Sequence, residues 1–160
     1  MEKKKRAKKR TFSEMAQSKE ESKKPIKKAK KSKETKEAIF TENSPAPIGP
    51  YSQGIVKNDF LFISGQIALN AQTGKLMTKD IKKETALVMR NLKGILTAAD
   101  MDFSHVIKAT IFLKDMNSFP QVNKIYEKEF KNTIPPAREC VQVSKLPKDV
   151  NVEISMIAHR

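Results

Sequence analysis

The chain has 160 residues, a length typical of one domain, and a net charge of +14 at pH 7. Its basic residues are concentrated at one end: residues 1–40 hold 16 Lys and Arg against 6 Glu, whereas residues 41–160 hold 16 against 12 acidic residues. Cys140 is the only cysteine, which excludes an intrachain disulfide or a cysteine-based metal cluster and favours a reducing compartment. No apolar run reaches the roughly 18 residues that span a bilayer. We expect a soluble, cytoplasmic protein with no membrane partner and no metal site.

The segment 1–40 is predicted to be a disordered, Lys-rich basic extension, because it has too few apolar residues to offset the entropy of ordering. Two basic clusters, residues 3–10 and 23–31, are typical of a nuclear-import signal or of a polyanion-binding arm. Neither cluster contains an aromatic residue, so a nucleic-acid contact would be made to phosphate and would be sensitive to salt. Three alternatives stay open: a nucleic acid, an import receptor that would add a nuclear location, or a solubilising tail without a partner.

The folded region is predicted to begin near Ile39 and to pass first through an extended, proline-rich lead-in at residues 45–50. Strands are expected at residues 51–56 and 60–67, because both runs are rich in β-branched and aromatic residues. The intervening residues 57–59 are turn formers. The chain is therefore expected to start its fold with two neighbouring strands.

Two helices and three strands are predicted to follow. Residues 80–99 carry apolar side chains at steps of three and four, the pattern of an amphipathic helix that Thr78 or Asp80 can cap. Residues 106–113 are predicted to form a strand that is apolar on both faces, which indicates a second buried surface and hence an oligomer. Residues 118–121 resemble a capping box that opens a second helix. This order of elements predicts an α+β domain with one sheet.

The last two strands, within residues 136–143 and 150–154, are expected to form one β-hairpin. Alternation places Arg138 and Cys140 on one face of the first strand, and Glu153 on the polar face of the second. A turn near residue 147 would separate Arg138 from Glu153 by about 13 Å, so a pocket containing both needs another segment or a second subunit. An arginine at this position is a good bidentate receptor for a carboxylate. The alternative is a half-exposed sheet with ordinary solvated charges.

Cys140 also invites a nucleophile hypothesis, which the sequence does not favour. No histidine lies near it in sequence to activate the thiol, since the two histidines are His105 and His159. A small strand residue whose backbone contacts a ligand is the better interpretation.

Residues 41–160 resemble the Rid family, also called YjgF, of reactive-intermediate imine deaminases. The matching segments are residues 46–54, 62–67, 91–96, 122–126 and 136–158. One departure is the segment Ala98-Ala99-Asp100, which replaces the family's usual ending with glycine after the first helix. The resemblance implies a chorismate-mutase-like single domain with a six-stranded sheet and two helices on one face. It also implies a homotrimer with a central barrel and sites in the clefts between subunits.

The activity implied by the resemblance is hydrolysis of 2-imino or enamine acids, such as 2-iminobutanoate and 2-iminopropanoate, to 2-keto acids and ammonia, without a cofactor or metal. By matching position, two residues would be catalytic: Arg138 would bind the substrate carboxylate and Glu153 would orient or activate the attacking water. Further substrate contacts, some of them through backbone, are expected from Tyr51, Ser64, Gly65, Asn123 and Cys140.

Two other function classes stay open. One is an RNA-binding, endoribonuclease-type translation inhibitor, since relatives of the family have been described in this way and the extension is basic. The region 41–160 lacks a pair of neighbouring histidines or a carboxylate cluster suited to cleaving a phosphodiester. The other is a non-catalytic trimeric sensor that binds a small acid through the same Arg138 cleft.

Overall fold

A computed structural model describes residues 35–160, so the predictions made for the basic clusters lie outside the described residues. Within this range the chain forms six strands and two helices. The strands are β1 (Glu37–Ile39), β2 (Gly54–Lys57), β3 (Phe60–Gln66), β4 (Val106–Leu113), β5 (Ala137–Gln142) and β6 (Val152–His159). The helices are α1 (Ile81–Ala98) and α2 (Phe119–Tyr126). Neither of these helices is long and apolar enough to cross a membrane.

All six strands belong to one mixed sheet in the order β1-β2-β3-β6-β4-β5. Every neighbouring pair is antiparallel except β4 and β5. These two strands are parallel because α2, which connects them, returns the chain to the edge of the sheet at which β4 began. The predicted α+β fold with one sheet and two helices is confirmed. The sixth strand is β1, which pairs with β2 and which the sequence pattern alone did not indicate.

The prediction of a terminal hairpin is wrong, because β4 lies between β5 and β6. Ile111 of β4 is the register partner of Cys140 on one side and of Ile154 on the other. The connecting residues 143–151 pass the end of β4, where the Val143 N–H donates to the Leu113 carbonyl at 2.9 Å. A short connection between two strands is typical of a hairpin. The alternation of polar and apolar residues, however, shows only which face of the sheet each side chain occupies, and not which strands lie next to each other.

The helix α1 forms as its periodicity predicts. The Asp80 carboxylate caps it by accepting hydrogen bonds from the backbone N–H groups of Lys82 at 2.8 Å and Lys83 at 3.1 Å. The helix ends before Asp100, which adopts a left-handed φ of 55°. Of the six positions predicted to face the core, Ile81 is only partly buried and the other five are buried, namely Thr85, Val88, Leu92, Ile95 and Ala99.

The start of α2 differs from the predicted capping box, because the Ser118 side chain makes no capping hydrogen bond. The helix continues directly from a short 3-10 turn, Met116–Ser118, whose first residues are capped by the Asp115 carboxylate through the Asn117 N–H at 3.0 Å. Pro120 occupies the first turn of α2, where its missing N–H leaves no intrahelical hydrogen bond unmade.

The two faces of the sheet differ in burial. Ala109, Ile111 and Leu113 of β4 are fully buried on the face that the helices cover. The opposite face, which we call the open face, exposes large apolar side chains, with Phe62 at 46% and Val141 at 42% of full exposure. Such a surface favours contact with another protein surface. The second buried surface expected from the sequence stays a prediction.

A buried carboxylate fixes the point at which β6 begins. Glu84 of α1 is fully buried, and its two carboxylate oxygens accept from the Asn151 N–H at 2.7 Å and the Asn151 side-chain amide at 2.8 Å. The same amide donates to the Thr78 carbonyl at 3.1 Å. These contacts hold residue 151 against the helix, and thereby set the register from which Glu153 projects two residues later.

Candidate functional site

The predicted site residues form two separate groups in one chain. Tyr51, Ser64, Gly65 and Glu153 line a cleft of about 420 Å³, which we call the Glu153 cleft. Asn123 and Arg138 lie together elsewhere, beside Tyr126, in what we call the Arg138 groove. Each group contains one of the two residues expected to be catalytic.

The Glu153 carboxylate lies directly over the backbone of Gly65. A Cβ atom placed on Gly65 would be only 1.8 Å from Oε1 of Glu153, so no larger residue fits there while the carboxylate keeps this position. The β3–β6 ladder is irregular at this point, since its register shifts between Ile63 and Gln66. Glu153 is half-buried, and burial raises the pKa of its carboxyl group. A raised pKa brings a carboxylate closer to the range in which it exchanges protons near neutral pH.

The walls of the Glu153 cleft are held by the side chains of Tyr51, which follows the lead-in, and of Ser64 in β3. The Tyr51 hydroxyl accepts a hydrogen bond from the Ile48 N–H at 3.2 Å, which closes the proline-rich lead-in back on itself. The Ser64 hydroxyl donates to the Ser52 carbonyl at 2.7 Å. Tyr51 remains about half exposed, at 46%, so its ring is free to contact a molecule in the cleft.

Gln53 is a site-building residue that sequence reasoning missed. Its side chain is 1% exposed and its amide N–H groups donate to the carbonyls of Thr41 at 3.0 Å, Ser44 at 3.0 Å and Pro45 at 2.9 Å. Its Oε1 accepts from the Thr41 N–H at 2.7 Å. One buried amide thus fixes residues 41–45, which include the first residue of the lead-in, beside the start of β2. A glutamine directly before a strand could have indicated such a role, but nothing in the sequence alone shows that Gln53 is buried.

The Arg138 groove lies where β5 borders α2. Nη1 of Arg138 donates to Oδ1 of Asn123 at 2.7 Å. The guanidinium carbon is 4.9 Å from the centroid of the Tyr126 ring and 5.6 Å from that of Phe119. Although Arg138 is exposed, it therefore has three specific contacts with one helix.

Cys140 follows Arg138 on the same face of β5, since their partners in β4 are Ile111 and Ala109. The thiol is partly buried, and this burial raises its pKa, with the charge of Arg138 acting in the opposite direction. A raised pKa reduces the fraction of thiolate. This makes Cys140 a weaker nucleophile, and a ligand contact through its backbone stays a prediction.

Arg138 and Glu153 lie on opposite faces of the sheet. Arg138 pairs with Ala109, which is buried on the helix-covered face, whereas Glu153 pairs with Phe112 on the open face. Residues that pair directly in neighbouring strands project to the same side. A single chain consequently does not bring the guanidinium and the carboxylate into one pocket. The Glu153 cleft holds four of the seven predicted site residues and the Arg138 groove holds two, with Cys140 beside Arg138 on β5.

Comparison with known proteins identifies the family. A family profile described as Endoribonuclease L-PSP matches residues 41–160. A crystal structure from Yersinia pestis, described as YyfA of the conserved Rid protein family and of unknown function, has a TM-score of 0.77 and 46% identity, covering 79% of this chain and 100% of that chain. The chain belongs to the Rid/YjgF family.

Other members of the Rid/YjgF family have more informative names. The 2-iminobutanoate/2-iminopropanoate deaminase of Escherichia coli K12 is 44% identical over 124 residues, which cover 76% of this chain and 96% of that protein. A RutC family protein of Pyrococcus horikoshii is 51% identical over 125 residues, covering 78% and 98% of the two chains. The structure of E. coli TdcF with bound serine has 40% identity and a TM-score of 0.75, covering 78% of this chain and 98% of that chain. The Rid/YjgF family thus includes a protein named as an imine deaminase and one with a small amino acid bound.

Proposed function

We propose that this protein is a hydrolytic deaminase that converts small 2-imino or enamine acids, such as 2-iminobutanoate and 2-iminopropanoate, to 2-keto acids and ammonia. The observation that carries the proposal is the pair of complementary half-sites: a fixed guanidinium at Arg138 and a half-buried carboxylate at Glu153. A 2-imino acid has a carboxylate that the Arg138 guanidinium can bind. It also has an electrophilic carbon that a water molecule held by the Glu153 carboxylate can attack. The 44% identity to a protein named as such a deaminase supports the same activity.

The site is completed between two copies of the chain, because Arg138 and Glu153 lie on opposite faces of one sheet. We propose a homotrimer in which the Arg138 groove of one subunit meets the Glu153 cleft of its neighbour. The exposed Phe62, Ile107 and Val141 are among the apolar residues available for contacts between the subunits. In this assembly the apolar open faces turn inward and form a central barrel.

The proposed reaction needs only positioning and proton transfer. Arg138 binds the carboxylate, while backbone at Gly65 and Cys140 contacts the imine end, and the Tyr51 ring covers the substrate. Glu153 accepts a proton from a water molecule as the water oxygen bonds to C2 of the protonated imine. The carboxyl group then returns this proton to the nitrogen of the tetrahedral intermediate. The C2–N bond breaks and ammonia leaves, while the C2 hydroxyl gives its proton to the Glu153 carboxylate and the C2–O bond becomes the carbonyl of the keto acid. Transfer of this proton from Glu153 to ammonia or water restores the carboxylate.

The deciding experiment compares the wild type with Arg138→Ala on freshly generated 2-iminobutanoate, with ammonia release measured above the spontaneous rate. Loss of a charged hydrogen-bonding partner of the substrate is worth about 2–4 kcal/mol, so we expect kcat/KM to fall by about 30- to 1000-fold. Arg90→Ala is the matched control, because Arg90 is an exposed arginine of α1 outside both half-sites. Light scattering verifies that both variants keep the oligomeric state. Equal rates for Arg138→Ala and the wild type would refute the proposal.

RNA cleavage is the second candidate, since the matching profile is described as an endoribonuclease. We test it by incubating RNA with the wild type, with Arg138→Ala, and with a full-length variant whose Lys and Arg residues at 3–10 and 23–31 are replaced by Gln. If the basic segment only binds RNA, the Gln variant loses RNA affinity, keeps deaminase activity, and shows a weaker salt dependence of binding. Cleavage of RNA at a rate that equals or exceeds imine hydrolysis would favour the ribonuclease.

A further inference from the structure

We propose that α2 is a preformed cradle for the guanidinium of Arg138, and that Tyr126 is a positioning residue that acts through its ring. Phe119 and Asn123 complete the cradle. The inference rests on the proposed function in one respect, namely that Arg138 is the receptor for a ligand carboxylate. It adds a role for three residues of α2. Of these, the sequence had indicated only Asn123, as a residue that lines the pocket.

The cradle follows from the spacing of its members along α2. Phe119, Asn123 and Tyr126 are separated by four and three residues, so they share one face of the helix. β5 runs past this face with Arg138 one residue inside its first position. A helix turned by one residue would present a different set of side chains to Arg138, so the three contacts depend on a common alignment of α2 and β5.

The three contacts restrict the guanidinium in complementary ways. Asn123 fixes one edge of the plane through the 2.7 Å hydrogen bond to Nη1. The rings of Tyr126 at 4.9 Å and Phe119 at 5.6 Å attract the positive charge. Among the described residues Asn123 is the only hydrogen-bond acceptor for this guanidinium, so the remaining N–H groups are available for a planar carboxylate. An arginine held in this way loses less conformational freedom when the ligand binds.

The environment of Tyr126 indicates that the ring, rather than the hydroxyl, is the functional group. Tyr126 is 4% exposed, and its hydroxyl has no hydrogen-bond partner among residues 35–160. The ring packs against Phe130 in a tilted arrangement, with centroids 4.7 Å apart and 34° between the ring planes, and Phe130 in turn contacts Phe103 edge-on at 5.4 Å. These two phenylalanines hold the Tyr126 ring in place. Burial also raises the pKa of the hydroxyl to about 12, so it keeps its proton at neutral pH.

The test measures how ordered Arg138 is and how tightly a carboxylate binds. Isothermal titration of the full-length protein with 2-oxobutanoate gives Kd, and ¹⁵N relaxation of the Arg138 Nε–H reports the motion of its side chain without ligand. We expect Tyr126→Phe to keep both values near those of the wild type. Tyr126→Leu and Asn123→Ala should raise Kd by about two- to tenfold and mobilise the Arg138 Nε–H, because the ligand must then order the side chain itself. The Nε–H of Arg90, an exposed residue of α1, is the internal reference and should not change.

Each outcome separates the cradle from the proposed function. If Tyr126→Leu binds 2-oxobutanoate as tightly as the wild type and leaves Arg138 ordered, the cradle is refuted while the deaminase proposal stands. If the variants behave as expected but the wild type hydrolyses no imine, the deaminase proposal fails and the cradle stands. A Tyr126→Phe variant as weak as Tyr126→Leu would assign the effect to the hydroxyl and overturn the inference, as would the absence of binding to the wild type. Should Tyr126→Leu not fold, the half-buried Phe119 and Asn123 decide the matter through Phe119→Leu and Asn123→Ala.

Discussion

Replacement of Gly65 by alanine tests the proposed role of the Glu153 carboxylate without a substitution at either catalytic residue. The added Cβ would lie 1.8 Å from Oε1 and 2.8 Å from Cδ of Glu153, and such atoms essentially never approach within 3.0 Å. The carboxylate must therefore move by at least about 1.2 Å. A misplacement of about 1 Å at a reacting group costs on the order of 100-fold in rate, or roughly 2.7 kcal/mol of transition-state stabilisation.

Stability should respond much less than activity. Gly65 does not adopt a left-handed φ, so alanine is compatible with its backbone, and the half-buried Glu153 can turn toward solvent. The Gly→Ala change also reduces the entropy of the unfolded chain, so we expect the free energy of unfolding to change by less than about 1 kcal/mol. The assay is kcat/KM for 2-iminobutanoate together with urea unfolding of the same preparation.

Gly74→Ala is the matched control and should show the reverse pattern. Gly74 has a left-handed φ of 66° and no atom within 4 Å of an added Cβ, so alanine strains the backbone without a clash. We expect a loss of about 1 kcal/mol in stability and unchanged kcat/KM. In a Glu153→Gln background, Gly65→Ala should cause little further loss, because the carboxylate that it displaces is already absent. Wild-type activity for Gly65→Ala, or fully additive losses in the double variant, would refute the reasoning.

Two further predictions concern Glu153 and Asp100. Because burial raises the pKa of Glu153, kcat/KM should fall as the pH decreases through that raised pKa. Glu153→Gln should abolish this acidic fall in the pH profile of kcat/KM. If the fall stays unchanged in Glu153→Gln, another group is responsible for it. When the pKa of a carboxyl group is higher in the folded than in the unfolded protein, folding is favoured most at a pH below the unfolded-state pKa, and this stabilisation is lost as the pH rises through the folded-state pKa. Glu153→Gln should therefore raise Tm at neutral pH and have little effect below about pH 4. Asp100→Gly should increase the free energy of unfolding by about 0.5 kcal/mol in urea titrations, because glycine adopts the observed φ of 55° without the steric cost of a Cβ; a decrease would show that the Asp100 side chain compensates for this strain.

The sequence predicted most elements of the fold because their signals are local. The apolar spacing and the Asp80 cap locate α1, and the β-branched run locates β4. β1 escaped detection because three residues, Glu37–Ile39, are too few to show an alternating pattern. The hairpin was wrong because strand neighbours are chosen by long-range packing, here by the return of the chain through α2.

The candidate site was predictable in its charged residues and not in the residues that support them. Arg138 and Glu153 are conspicuous because charges interrupt apolar strands. Gln53 and Tyr126, by contrast, resemble ordinary polar or core positions until the carbonyls and the guanidinium around them are seen. That the two charges occupy opposite faces also depends on the strand order, which alternation along each strand does not contain.

The position of β6 has a consequence for how the domain folds. β6 is the last strand in sequence, yet it lies in the middle of the sheet, and among the described strands it alone joins β3 to β4. A chain synthesised only as far as β5 can pair β1 with β2, β2 with β3, and β4 with β5, but no ladder hydrogen bonds connect β1–β3 to β4–β5. The sheet therefore becomes one cooperative unit only when the residues from Val152 onward are added, and until then each part exposes an unpaired edge that can associate with other chains.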